Sequence, residues 1–162
     1  MNITVVIVAY KSEQLIYKNL INYPSDINII IIENSMNIKM KHEVETKYKN
    51  IKFILNQNNG FGHAANLGAN LTNTKYIFFC SPDNFIEKNF LNELSNIKKE
   101  LNDNFDMLIL SNKENLILEN KKVKNIEGIS CFLIKKKTFL DLSGFDENFF
   151  LYYEDTDFLT NA

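Results

Sequence analysis

The chain opens on Ile3-Thr4-Val5-Val6-Ile7-Val8-Ala9, a run that leads directly into the polar turn Tyr10-Lys11-Ser12. Nearly all residues of the run are β-branched, and branching at Cβ favours extended backbone over helix. The run has little polar alternation, as is typical of a parallel strand that is covered on both faces. It therefore predicts a buried strand with the polar turn at its carboxyl end.

Apolar runs of this kind, rich in Ile, Val and Phe, recur along the chain and alternate with longer amphipathic stretches. The predicted strands are residues 3–9, 28–33, 51–55, 76–80 and 107–110, and the predicted helices are residues 12–21, 38–48, 63–71 and 87–101. Residues 116–125 are expected to form a hairpin or an irregular excursion before the apolar run 129–134. Strands that alternate with helices predict an α/β fold, with a mostly parallel sheet and helices on both faces. No linker or repeat divides the chain, so a single domain is expected over residues 1–162.

The composition limits the classes of partner. The 162 residues are 45% hydrophobic, and 18 Lys and Arg residues nearly balance 20 Asp and Glu residues, for a formal net charge of −2. Such a chain has no basic field that would hold a nucleic acid by counterion release. Its apolar runs are far shorter than the roughly 20 residues that cross a bilayer. We expect a cytoplasmic protein with no transmembrane segment and no nucleic-acid partner.

The two cysteines and the basic residues carry little chemistry by themselves. Cys80 and Cys131 lie inside apolar runs and lack the spacing of metal ligands, so buried free thiols are expected. Every basic residue is Lys. A diphosphate would therefore be held by Lys, by backbone N–H groups or by a metal ion, because no Arg is present for bidentate contact.

Polar motifs follow the predicted strands at their carboxyl ends, where loops and helix N-termini converge in such sheets. After the first strand, Tyr10 offers a ring that could pack on a nucleobase or ribose, although edge packing explains it as well. The second strand ends at Glu33, whose carboxylate could accept hydrogen bonds from a ribose or base; a solvated strand end is the alternative. Neither residue identifies a function alone.

A glycine-bearing turn precedes the third predicted helix, in the segment Asn58-Asn59-Gly60-Phe61-Gly62-His63-Ala64-Ala65-Asn66-Leu67-Gly68. Gly60 and Gly62 let the backbone bend and approach a ligand closely, and free N–H groups at the helix start favour phosphate. The order of glycines matches neither the dinucleotide fingerprint nor the P-loop. The alternative is structural, with glycines that serve the turn and alanines that let the helix pack on the sheet.

Carboxylates appear in two later motifs. The fourth predicted strand is followed by Ser81-Pro82-Asp83-Asn84, in which Asp83 could ligate Mg²⁺ or Mn²⁺ or belong to an ordinary Pro-Asp turn. Residues 144–157 read Gly-Phe-Asp-Glu-Asn-Phe-Phe-Leu-Tyr-Tyr-Glu-Asp-Thr-Asp, an aromatic run that encloses carboxylates. A carboxylate there is a candidate general base, because burial and like charges raise its pKa; a charged surface loop is the alternative.

Taken in order, these motifs resemble those of family 2 glycosyltransferases, particularly the rhamnosyltransferase-like branch. The matching segments run through nearly the whole chain and keep the family's order and spacing: Ala9-Tyr10-Lys11, Glu33-Asn34-Ser35, residues 59–66, Ser81-Pro82-Asp83, residues 144–150 and Glu154-Asp155. The chain departs from the family at Glu33, Lys11 and Ser81, which replace Asp, Asn and Asn. The family pattern continues well past the Glu-Asp pair, so the chain is similar to the donor-binding part of a member and is expected to lack the C-terminal part.

The resemblance implies a GT-A, Rossmann-like fold and the transfer of a sugar from a nucleotide diphosphate to an acceptor hydroxyl with inversion. It implies one set of nucleotide-sugar contacts: Ala9, Tyr10, Glu33, Asn59, Gly60, Gly62, Asn66 and Asp83. By the same resemblance Asp83 is the ligand of Mg²⁺ or Mn²⁺, Asp155 is the catalytic base, and Glu154 and Asp157 support it. The donor would be UDP- or dTDP-linked. The acceptor would be a glycan or a lipid-linked precursor of a bacterial cell-surface polysaccharide, at the inner face of the membrane.

Three other classes of protein are alternatives. A nucleotide-sugar-binding module that has lost catalysis, truncated relative to the family, would bind the donor without transfer. A nucleotidyltransferase would carry a Gly-rich, basic segment near the first strand, which Ala9-Tyr10-Lys11-Ser12 lacks. A purely structural domain does not explain why the polar motifs all follow strand ends.

Overall fold

The structure, a computed structural model, describes residues 2–102, 104–110 and 131–161. The strands are β1 (Ile3–Ala9), β2 (Asn28–Glu33), β3 (Ile51–Leu55), β4 (Tyr76–Cys80), β5 (Met107–Ile109) and β6 (Cys131–Lys135). The helices are α1 (Glu13–Leu20), α2 (Ile38–Lys47), α3 (Phe61–Leu71), α4 (Phe90–Glu100), α5 (Lys136–Asp141) and α6 (Glu154–Asn161). The predicted strands are present to within a residue. Helix α3 begins two residues earlier than predicted and α4 three residues later, and α5 and α6 were not predicted. The predicted excursion at 116–125 and the start of the run 129–134 lie outside the described residues.

The six strands form one sheet in the order β3-β2-β1-β4-β6-β5. Strands β1 to β4 are parallel, and β6 runs antiparallel to both β4 and β5. In the register, Ala9 of β1 pairs with Glu33 of β2, which pairs with Leu55 of β3. These three strands therefore end level, and the loops that follow them share one edge of the sheet, called here the carboxyl rim. The prediction of an α/β fold with a mostly parallel sheet is confirmed.

Both faces of the sheet are covered by helices, because successive strand residues point to opposite faces. On one face, Val5 and Ile7 belong to a core cluster that includes residues of α1, α2 and α4. On the other face, Val6 belongs to a cluster that includes residues of α3, α5 and α6. No helix among the described residues is both long enough and apolar enough to cross a membrane.

Helix α3 packs unusually close to the sheet because its buried residues are all glycine or alanine. A Cβ on Gly68 would lie 2.4 Å from Cγ1 of Val6, so any larger residue would push the helix away from β1. The same close packing fixes where the first turn of α3 emerges at the carboxyl rim. Helix position and site geometry thus depend on the same small residues.

An aromatic cluster anchors the C-terminal part of the chain beneath the rim. The ring of Phe145 lies 5.2–6.3 Å from five other rings, those of Phe61, Phe79, Phe132, Phe139 and Phe158. Such pairs contribute about 0.5–1.5 kcal/mol each beyond the burial of their area. The cluster therefore ties the residues after α5 to β4, β6 and the start of α3.

Candidate functional site

The carboxyl end of β1 presents an aromatic ring and a cation side by side. Tyr10 follows the buried Ala9 directly and exposes 52% of its surface. Lys11 has a left-handed backbone, with φ 51°, and its Nζ lies 5.1 Å from the centroid of the Tyr10 ring. A planar ring beside a positive charge suits a planar ligand that carries an anionic group.

Glu33, at the end of β2, is almost fully buried and is folded back on its own loop. Its Oε1 accepts hydrogen bonds from the backbone N–H of Ser35 (3.0 Å) and from the Ser35 hydroxyl. Its Oε2 accepts from the backbone N–H of Asn37 at 2.7 Å. The carboxylate therefore shapes the turn after β2, and only its remaining lone pairs are available to a ligand.

A group of asparagine amides joins this turn to the loop after β3. Asn34 is buried, and its backbone N–H donates to the carbonyl of Ala9 at 2.7 Å. Its Oδ1 accepts from Nδ2 of Asn56 (2.9 Å), and its own Nδ2 donates to the carbonyl of Gly60 (3.4 Å). The exposed Asn59 lies in the same loop. Asn56 was not singled out from the sequence, because no motif marks it.

The glycine turn admits a segment of the chain itself. Gly60 has φ 102°, and a Cβ placed on it would lie 2.5 Å from the carbonyl oxygen of Phe150. That carbonyl accepts the N–H of Phe61, the first residue of α3, at 3.0 Å. The N–H groups at the start of α3 were expected to be free for phosphate. In the structure, the first of them, that of Phe61, donates to the carbonyl of Phe150. Gly62 is likewise approached by Phe145, whose Cβ would lie 3.1 Å from an added Cβ.

Asn66 also faces the chain's own C-terminal loop. Its Nδ2 donates to the carbonyl of Phe145 and to Oε1 of Glu147, both at 2.9 Å. Its Oδ1 accepts the N–H of Phe145, also at 2.9 Å. Both donors of the amide are therefore engaged within the protein, and the nucleotide contact expected of Asn66 stays a prediction.

Asp83 lies on an exposed turn beyond β4, the neighbour of β1. The turn is closed by the N–H of Asn84, which donates to the carbonyl of Ser81 at 3.1 Å. Asn19 of α1 supports it by donating to the carbonyls of Pro82 (2.8 Å) and Asn84 (3.0 Å). Asp83 is thus held at the carboxyl rim by rigid contacts and keeps an accessible carboxylate.

A divalent cation at Asp83 would need further ligands from outside the protein. Across residues 2–102, 104–110 and 131–161, no three His, Cys, Asp or Glu side chains are grouped to hold a metal ion. Mg²⁺ is commonly bound through one or two carboxylates plus substrate phosphates and water. A lone accessible aspartate fits that mode of binding, and it does not fit a cation that stays bound without substrate.

Helix α6 begins at Glu154, directly after two exposed tyrosines. Tyr152 and Tyr153 have φ 67° and 70°, so two successive non-glycine residues adopt left-handed backbone. Such conformations cost about 1–3 kcal/mol each and persist where surrounding structure enforces them, often at functional sites. Asp155 is half-buried, and its Oδ1 accepts the N–H of Thr156 at 2.7 Å.

Glu154 is a buried acid at the start of α6. It is 6% exposed, and its Oε2 has no hydrogen-bond partner among the described residues. Burial raises the pKa of the Glu154 carboxyl, and the negative charge of Asp155 raises it further. Glu154 and Asp155 therefore differ in environment, since one carboxyl is buried and the other reaches solvent.

A cleft lies between Asn66 of α3 and residues around α6. It has a volume of about 390 Å³ and is lined by Asn66, residues 142–147, Asp157, Phe158 and Asn161. Tyr10, Glu33 and Asp83 do not line this cleft. The expected thiols are confirmed, since Cys80 and Cys131 are free and buried.

Comparison with known proteins identifies a family. The model described as Glycosyl transferase family 2 matches residues 4–157. The fold is similar to that of S. aureus TarS 1-349, with a TM-score of 0.76 and 16% identity over 99% of this chain and 55% of that one. It is similar to the complex of that protein with UDP, with a TM-score of 0.74 and 16% identity over 98% of this chain and 54% of that one. The corresponding values for its complex with UDP-GlcNAc are 0.75 and 16%, over 100% and 53%.

The chain spans about half the length of these TarS structures. At 16% identity the similarity shows a shared fold. No curated protein sequence matches the chain.

Proposed function

The chain belongs to glycosyl transferase family 2, and we propose that it moves a sugar from a nucleotide-diphosphate donor to an acceptor hydroxyl with inversion at the anomeric carbon. The observation that carries the proposal is the arrangement at the carboxyl rim. An exposed ring at Tyr10 and an accessible carboxylate at Asp83 follow two adjacent strands. Glu154, the neighbour of Asp155, lies against Gly62 at the start of α3, and α3 follows β3 at the same edge of the sheet.

The nucleotide is proposed to lie across the ends of β1 and β2. The ring of Tyr10 would stack on the base, next to the backbone of Ala9. Glu33 would accept from the ribose or the base with the lone pairs that Ser35 and Asn37 leave free. The exposed amide of Asn59 and the backbone at Gly60 and Gly62 would complete the pocket. TarS was crystallised with UDP and with UDP-GlcNAc, which supports a UDP- or dTDP-linked donor here.

Asp83 is the proposed ligand of Mg²⁺ or Mn²⁺, together with oxygens of the donor diphosphate. Bound there, the cation would offset the negative charge of the leaving diphosphate. Asp83 itself would fix the position of the diphosphate relative to Tyr10. Lys11, whose Nζ lies 5.1 Å from the centroid of the Tyr10 ring, would add a positive charge on the same side.

Asp155 is the proposed general base. It would take the proton of the acceptor hydroxyl while the acceptor oxygen forms its bond to the anomeric carbon and the bond to the diphosphate breaks. The diphosphate leaves with the electron pair, from the face opposite the attacking oxygen. Glu154, buried beside Asp155, would support the base.

The biological setting is part of the proposal, and the resemblance to the family supports it. We propose a single donor-binding and catalytic domain, a glycan or lipid-linked acceptor, and a role in bacterial cell-surface polysaccharide synthesis at the inner face of the membrane. Membership in the rhamnosyltransferase-like branch rests on the motifs quoted above.

The roles of Asp83 and Asp155 can be separated by two variants and one control. Asp83→Asn should weaken Mn²⁺-dependent UDP or dTDP binding by about tenfold or more, equal to about 1.4 kcal/mol. Asp155→Asn should leave that affinity within about twofold and abolish release of nucleotide from the donor in the presence of acceptor. Asp26→Asn, on an exposed loop before β2, is the matched control for the loss of one surface charge. Unchanged metal-dependent affinity in Asp83→Asn would exclude the proposed ligand, and retained turnover in Asp155→Asn would exclude the proposed base.

A further inference from the structure

Helix α3 carries two polar side chains on one face, His63 and Asn66, and both contact residues more than seventy positions later in the chain. Asn66 exchanges two hydrogen bonds with the backbone of Phe145 and donates a third to Glu147. Nδ1 of His63 lies 2.9 Å from the other carboxylate oxygen of Glu147. Each carboxylate oxygen of Glu147 thus accepts a hydrogen bond from a side chain on the same face of α3.

The electrostatics of Glu147 agree with this geometry. Its pKa is lowered, first by the hydrogen bond from Asn66 and then by the hydrogen bond from His63. The ionised carboxylate of Glu147 accepts both hydrogen bonds, and its negative charge strengthens them. The group of Asn66, His63 and Glu147 is called here the α3 clamp.

Close contacts continue from the clamp to Glu154, the first residue of α6. Gly144, with φ 68°, lets the loop approach Asn66 so closely that an added Cβ would lie 2.4 Å from Asn66 Oδ1. Further along, a Cβ on Gly62 would lie 3.1 Å from Cβ of Phe145 and 3.8 Å from Cβ of Glu154. The carbonyl of Phe150 then caps the N–H of Phe61. Gly60, Gly62 and Gly144 thus lie where the C-terminal loop contacts α3 or the turn before it, and Glu154 follows this loop.

We infer that Asn66 and His63 are positioning residues, which hold the loop of residues 144–153 through Glu147 and thereby set the place of Glu154 and Asp155 relative to the donor. The inference rests on the proposed function, and it differs from a nucleotide contact by Asn66 in what it predicts. Loss of the clamp displaces the carboxylates and slows the chemical step. Loss of a nucleotide contact lowers donor affinity instead.

His63 offers the sharper test, because its side chain is partly exposed and its removal leaves the aromatic cluster intact. His63→Ala should lower kcat by about tenfold to a hundredfold, since displacement of a catalytic group by about 1 Å costs up to about a hundredfold. The dissociation constant of UDP or dTDP should stay within about twofold. His63→Asn, whose amide can donate near the position of Nδ1, should recover most of the lost rate. His42→Ala, an exposed histidine on α2, is the matched control and should have no effect.

Asn66→Ala, with the exposed Asn70→Ala one turn later as its control, tests the same point for the amide. Amide hydrogen exchange in residues 145–157 should rise at least about tenfold in Asn66→Ala and His63→Ala and stay unchanged in both controls. If Asn66→Ala or His63→Ala instead weakens nucleotide binding tenfold while exchange in the loop stays unchanged, the inference is overturned. If the unaltered chain binds no nucleotide, the proposed function fails; the exchange measurement still decides whether the clamp holds the loop.

Discussion

A single substitution at Gly60 tests the described structure of the carboxyl rim. Gly60→Ala adds one methyl group at a residue with φ 102° and ψ 170°, a backbone conformation that is nearly restricted to glycine. The new Cβ would also lie 2.5 Å from the carbonyl oxygen of Phe150, so this carbonyl has to move. Its movement breaks the hydrogen bond from the N–H of Phe61.

The expected cost follows from these two effects. The backbone conformation contributes about 1–3 kcal/mol of strain. The lost hydrogen bond contributes about 1 kcal/mol. Gly60→Ala should therefore lower the free energy of unfolding by about 2–4 kcal/mol, measured by urea denaturation monitored by circular dichroism.

Gly62→Ala is a close control, since it adds the same methyl group two residues away inside the helix. Alanine is favoured over glycine in a helix by about 1 kcal/mol, which opposes the tight contact with Phe145. Its net effect on the free energy of unfolding should stay within about 1 kcal/mol. If Gly60→Ala lowers the free energy of unfolding no more than Gly62→Ala does, the approach of Phe150 does not constrain the turn at Gly60.

Three further predictions concern single side chains. Glu154→Gln should raise the free energy of unfolding at pH 7, because burial raises the folded-state pKa of Glu154 above the usual 4.5 and its ionised carboxylate destabilises the fold. The gain should vanish as the pH falls below about 4.5, where the carboxyl is protonated in both the folded and the unfolded state, and a gain that is independent of pH would contradict this. Glu147 has a lowered pKa, so its contribution to stability is complete above about pH 4.5 and is lost as the pH falls through its folded-state pKa. Glu147→Gln should therefore reduce the loss of stability that urea unfolding measures between about pH 5 and pH 3, and an unchanged loss would refute this role of Glu147. Tyr10→Ala should weaken nucleotide binding by about 1–3 kcal/mol in calorimetry while Tyr10→Phe retains it, and equal losses in both variants would point to the hydroxyl instead of the ring.

The strands could be predicted because their signal is local. Runs such as Ile3–Ala9 and Tyr76–Cys80 combine β-branched or aromatic residues with almost no polar alternation, and these runs are strands in the structure. The direction of β6 could not be predicted, because an apolar run does not state whether it enters the sheet parallel or antiparallel. Helix α6 begins within the carboxylate motif, where aromatic and acidic residues give no helical periodicity.

The candidate site was predicted in part. The placement of Tyr10, Glu33 and Asp83 at the ends of strands follows from the alternation of strands and helices, and the structure has them there. The role of the glycines was not predictable. A glycine in the sequence indicates that something approaches the backbone closely. It does not indicate whether that is a ligand or a distant part of the same chain, as Phe150 is at Gly60.

The hydrogen bonds of Asn66 show the same limit. They join residues 79 and 81 positions apart, and no short motif records such a pairing. An asparagine on the first turns of a helix after a glycine turn is equally suited to hold phosphate or a backbone segment.

The most direct test of the central claim, a donor site for a nucleotide diphosphate at the carboxyl rim, is calorimetric titration of the chain with UDP, dTDP and GDP, each with and without Mn²⁺. We expect binding of UDP or dTDP that depends on Mn²⁺ and is weakened in Asp83→Asn. Absence of binding by all three nucleotides, in a sample whose circular dichroism and cooperative urea unfolding establish that it is folded, would contradict it.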